Sequence, residues 1–71
     1  MTDTLLLRKA IRTSGLHLGH IAAHLGLSRH GLSLKIDGVT EFKASEIAAL
    51  TQILGLSNSD RDAIFFSSSV N

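Results

Sequence analysis

The sequence predicts an all-α protein, a compact bundle of five short helices, and three observations carry that reading. Leu, Ile and Ala dominate an apolar fraction of 44%, a mix that favours helix over sheet. Apolar residues recur at three- and four-residue spacing in segment after segment, and no alternating run marks a strand. Glycines 15, 26, 38 and 55 stand where successive periodic segments end, and the chain has no proline.

The elements follow in order. Leu6, Leu7, Ala10 and Ile11 define a first helix over roughly 3–14, stopped at Gly15. Leu18, Ile21, Ala22 and Leu25 form one face of a second, ended by Gly26. Ser28 is a good N-cap for a third helix, in which Leu32 and Ile36 stand one turn apart before Asp37-Gly38. "VTEF" is a loop, and Ala44, Ile47, Leu50 and Leu54 stripe a fourth helix that stops at Gly55. Ser57 followed by Asp60 suggests a capping box for a fifth helix through Ile64, Phe65 and Phe66. Residues 1–66 make one domain, and 67–71 a frayed polar tail.

Size and composition narrow the function. A 71-residue domain buries roughly 60% of its unfolded surface, which leaves no room for a core and a deep catalytic cleft together. Without cysteine, neither disulfides nor thiolate zinc sites support the fold, and a reducing cytoplasm suits it. "MTDTLLLRKAI" has too few leucines before its basic pair for a signal peptide or a membrane span. The net charge of +1 is bland, but its distribution is not. Thr4 to Ile36 contains no acid, against Arg8, Lys9, Arg12, Arg29 and Lys35. Asp37, Glu41, Glu46, Asp60 and Asp62 then outweigh Lys43 and Arg61. Such asymmetry suggests a basic face for a polyanion, with an ordinary solvated surface as the plainer alternative.

The informative unit is "LGHIAAHLGLSRHGLSLKIDG", residues 18–38. A small residue at 22 lets two helices cross closely, and Gly26 accepts positive φ in a tight turn. Ile21, Leu25, Leu27 and Leu32 pin the second helix across the first. This is the pattern of a helix-turn-helix.

From "LRKAIRTSGL" through "IAAHLGLSRHGLS" to "AALTQILGLS", residues 7–56, the chain resembles the phage-repressor and Cro-like family of XRE-type regulators. "LSLKIDG", with "FK..EI" and a terminal "FF", further resembles a subgroup of short phage-associated proteins. The resemblance implies a lambda-repressor-like bundle and a recognition helix, 28–36, lying in the major groove of operator DNA. It maps the base-reading positions onto Arg29, His30, Ser33 and Leu34. These residue types suit the work: Arg29 can pair with guanine, His30 and Ser33 can hydrogen-bond base edges, and Leu34 can touch a thymine methyl. Leu34 lies about 200° around the helix from Leu32 and so points away from the core; a packing or dimer contact is its other reading. Arg8, Arg12, Ser28, Lys35 and Lys43 are the expected phosphate contacts. Lys35 stands where the family more often buries an aliphatic side chain; Ile36 is expected to take that duty, leaving Lys35 for phosphate.

Several residues depart from the family pattern. Leu18 stands where glutamine commonly touches phosphate, and His17 replaces the usual Ser or Thr N-cap. Asp37 stands where asparagine often contacts the DNA backbone, and a carboxylate there repels it. Gly31 weakens the recognition helix by about 0.5–1 kcal/mol relative to alanine.

Four histidines, His17, His20, His24 and His30, fall within fourteen positions. His20 and His24 lie about 40° apart on a helix, near enough to share a zinc. A third ligand is missing, no acid lies within twelve residues of either, and isoleucine replaces the glutamate that an "HExxH" metalloprotease needs. They read instead as exposed histidines that add phosphate contacts when protonated. No paired carboxylates, Ser-His-Asp arrangement or phosphate loop appears, so neither enzyme activity nor a metal or other cofactor is expected.

The expectation is a small cytoplasmic transcriptional regulator that binds double-stranded DNA, as a homodimer because one recognition helix reads too few bases. Ile64, Phe65 and Phe66 either form the dimer seam or close the core. The rival is an interaction module whose groove-facing surface binds a partner regulator or a polymerase subunit.

Overall fold

The structure is a computed structural model that describes residues 1–67. The part of the expected tail at 68–71 lies outside the described residues. Five helices run in order: α1 Thr4–Ser14, α2 Leu18–Leu25, α3 Arg29–Ile36, α4 Ala44–Leu54 and α5 Asn58–Phe65. Among the described residues there is no strand.

Each boundary has a local cause. Asp3, Ser28 and Ser57 cap α1, α3 and α5, their side-chain oxygens accepting from the backbone N–H of Leu6, Gly31 and Asp60. At the end of α2, Gly26 has φ +73°, its N–H donates to Ala23 O, and the Leu27 N–H reaches back to Ala22 O at 2.9 Å. That pair of bonds satisfies the last carbonyls and turns Leu27 inward, where it packs on the core. Helix α5 ends one residue earlier than the sequence suggests, because Phe66 leaves helical geometry at φ −122°.

The core draws on every helix: Leu7 and Ile11 from α1, Ile21 and Ala22 from α2, Leu32 and Ile36 from α3, Leu50 from α4, and Ile64 and Phe65 from α5. Full burial of each large side chain contributes about 1.5–3 kcal/mol. Helix α2 packs on α3 and α4, while α1 contacts α3, α4 and α5. The Asp3 N–H donates to Ile64 O at 2.6 Å and ties the start of α1 to α5.

Of the two readings of Ile64, Phe65 and Phe66, Ile64 and Phe65 follow the core one: at 4% and 3% exposed they close the core and cannot form a dimer seam, while Phe66, at 59%, faces outward. The "VTEF" loop also has a structural duty. Its Phe42 packs on the core and meets Phe65 edge to face, with ring centroids 5.5 Å apart.

The small side chain at 22 sets how closely α2 can lie on its neighbours. Ala22→Leu is expected to lower unfolding free energy by about 1–3 kcal/mol, or to prevent folding. Ala23→Leu, one position on and exposed, should stay within about 0.5 kcal/mol of the parent. Urea denaturation of both variants checks the pair.

Candidate nucleic-acid interface

Helix α3 buries Leu32 and Ile36 and turns Arg29 and His30 outward. Ser33 and Leu34 are half-buried, and Leu34 lies outside the core cluster, so its side chain remains at the surface. Ser28, just before the helix, is exposed and accepts the Gly31 N–H at 2.9 Å. That bond uses the hydroxyl as acceptor and leaves its hydrogen to donate elsewhere. A β-carbon on Gly31 would stand 3.1 Å from this same oxygen, so the glycine that weakens α3 also makes room for its cap.

Helix α1 brings the flanking cations alongside. Arg8 and Arg12 line a shallow groove of about 200 Å³ with Ile11, Leu18, Ser33 and Ile36. Two expected phosphate contacts thus meet one expected base-reading residue. Leu18, in the place of a polar contact, packs against the core instead. Lys43 is exposed at the N-cap of α4. His17, His20 and His24 are all exposed, and His17 makes no side-chain cap bond to α2. Among the described residues, no three His, Cys, Asp or Glu side chains stand close enough to hold a metal ion.

Lys35 is not available to phosphate as expected. Its ammonium lies 3.0 Å from Glu46 Oε1 and donates to Glu41 O at 2.9 Å, with side-chain exposures of 13% for Lys35 and 8% for Glu46. The same Glu46 oxygen accepts the Lys43 N–H at 2.8 Å. Burial alone would raise the Glu46 carboxyl, but the Lys43 N–H and the Lys35 ammonium outweigh it and hold the carboxyl below its ordinary value. The pair fastens the C-terminal turn of α3 to the first turn of α4. Its sequence signal was a lysine in a position meant for an aliphatic residue; its partner, three residues into α4, was not picked out.

Asp37 also has a partner that spacing did not reveal. Its carboxylate pairs with the Arg8 guanidinium, and both side chains remain about half exposed. Arg61 similarly pairs with Asp62 at 2.9 Å. Among the described residues, this leaves Lys9, Arg12, Arg29 and Lys43 without an ion pair. Away from α3, Phe66 joins Phe42, Ile47 and Ala48 in lining a largely apolar groove of about 610 Å³, which Thr51 and Arg61 also border.

The Lys35–Glu46 pair gives a pH dependence with a definite sign. Because the folded carboxyl is lowered, its stabilisation is complete above the ordinary glutamate range and is lost as pH falls through the lower folded value. Glu46→Gln leaves the Lys35 ammonium without its counter-charge and should cost about 1.5–3 kcal/mol at neutral pH. The gap in melting temperature between parent and variant should narrow steadily toward acid. A gap that stays constant would show that the Glu46 charge is not what stabilises the fold.

No protein-family model matches the chain, and neither the curated proteins nor the solved structures include one that is detectably similar to it.

Proposed function

We propose that the protein binds duplex DNA with sequence preference, seating α3 in the major groove as a small regulator of transcription of the phage-repressor type. One observation carries the reading: Ser33 of α3 and the α1 cations Arg8 and Arg12 line one groove, while Arg29 and His30 stand exposed at the start of the same helix. Arg29 and His30 reach base edges at the N-terminal end of that helix. Arg8, Arg12, Ser28 and Lys43 position the backbone, and they carry no sequence information themselves. The first-turn N–H groups of α2 lack a side-chain cap from His17, which suits a phosphate there. The exposed histidines of α2 add to the same field when protonated. The site of action is the cytoplasm.

Two copies act on a pseudo-palindromic site. The exposed Phe66 and the groove beside it supply the apolar contact for the second copy.

A second reading has its own support. Lys35 and Arg8 are both engaged by carboxylates, so the basic face is weaker than the sequence count suggests. A protein-interaction module, presenting the same α3 surface or the Phe66 groove to a partner regulator, would tolerate that loss.

Selection from a random duplex pool at low salt separates the two. Sequence-specific binding predicts an enriched motif, and Arg29→Ala should relax preference at one or two positions by about 5- to 150-fold. No enrichment favours the interaction module. Asp37→Asn should tighten DNA binding about threefold to tenfold and steepen the salt dependence by about one phosphate contact. Weaker binding by that variant would mean that Asp37 holds Arg8 in place for phosphate rather than competing for it.

A further inference from the structure

Arg29 begins α3, yet the neighbour that fixes its course lies on α2. A β-carbon built on Gly19 would stand 3.5 Å from Arg29 Cδ and 3.8 Å from its Cγ. Apart from its neighbours Leu18 and His20, no other side chain of the described residues comes within 4 Å of that point. The aliphatic stem of Arg29 therefore runs over the bare backbone of Gly19, while the residue as a whole stays exposed. Gly19 is not required by its backbone, since it shows no positive φ and lies inside a helix. In such a helix glycine is disfavoured relative to alanine. The space that it leaves is the remaining physical account of its effect on Arg29.

We infer that Gly19 is a positioning residue for base recognition: its missing side chain forms a slot on α2 that aims the Arg29 guanidinium along the outward face of α3. This rests on the reading of α3 as the base-reading helix. An arginine stem loses rotamer freedom when it binds, and a stem already laid in a slot has less to lose. Its planar fork also needs a defined approach to pair with guanine at two points. A methyl at 19 meets Cδ at ordinary contact distance, so alanine keeps the slot. A larger side chain takes up the volume through which the stem runs.

The test compares parent, Gly19→Ala and Gly19→Leu in two measurements. In the unbound protein, 15N relaxation of the Arg29 side-chain Nε should show greater order than that of exposed Arg12. That difference should persist in Gly19→Ala and vanish in Gly19→Leu. Arg29 as mobile as Arg12 in the parent overturns the inference whatever the protein binds. In selection from a random duplex pool, Gly19→Leu should lose about tenfold or more preference at the position that depends on Arg29. Preference elsewhere, and the salt dependence, should be unchanged. In an Arg29→Ala background, Gly19→Leu should have no further effect at that position. Retained preference in Gly19→Leu, or an equal loss without Arg29, overturns the slot and leaves DNA binding standing. If the parent enriches no sequence while Arg29 is ordered as expected, base recognition fails and the slot remains only as packing.

Discussion

The seating of α3 against α2 is the constraint on which the rest of the surface depends. Ala22 and Leu32 are both buried in the core to which these helices contribute, and the intervening turn is closed by the Gly26 and Leu27 N–H groups. Because the interior is packed like an organic crystal, a change of one methylene at such a crossing shifts a whole helix rather than one side chain. The direction in which Arg29, His30 and Ser33 point is thus fixed by apolar residues that touch no ligand. The far end of α3 is fixed differently, by an ion pair to α4. One end of the helix is held by shape and the other by charge.

Charge is scarce in a domain this small, and the fold uses much of it internally. Lys35 is committed to Glu46, Arg8 is shared with Asp37, and Arg61 with Asp62. The half-exposed Arg8–Asp37 pair contributes at most about 1 kcal/mol to stability. Its larger effect is on the field seen by an approaching anion, since each engaged cation is one fewer counterion to displace. The Lys35–Glu46 pair differs, because its members are largely removed from solvent and each relies on the other.

Much of this architecture was legible because its causes are local. Serines before α3 and α5, glycines after α1, α2 and α4, and apolar spacing within each helix act over a few residues, and the structure has helices at each of those positions. Ile36 is buried as its spacing implied. What escaped depends on contacts between residues far apart in sequence. No spacing rule joins Arg8 to Asp37, or tells that Phe42 in an irregular segment meets Phe65. Lys35 differs from its expected role because helical periodicity gives a direction but not a partner: its long side chain reaches from α3 to Glu46 at the start of α4. Gly19 gave no signal beyond a glycine inside a helix, and only the position of Arg29 gives it meaning. That five helices share one core was legible; which surface groups remain available was not.

The bond from the Asp3 N–H to Ile64 O joins residues near the two ends of the described chain, and the Ser67 hydroxyl donates to Met1 O close by. Contacts between neighbouring helices, such as α2 with α3, are local and form quickly. Closure of α5 onto α1 spans almost the whole chain, although the entropic cost of so long a loop grows only slowly with its length. The side of α1 that α5 covers is open until α5 is in place. The α1–α5 seam is therefore held by the pairing of residues about sixty positions apart, unlike the α2–α3 joint, which is closed by its own turn.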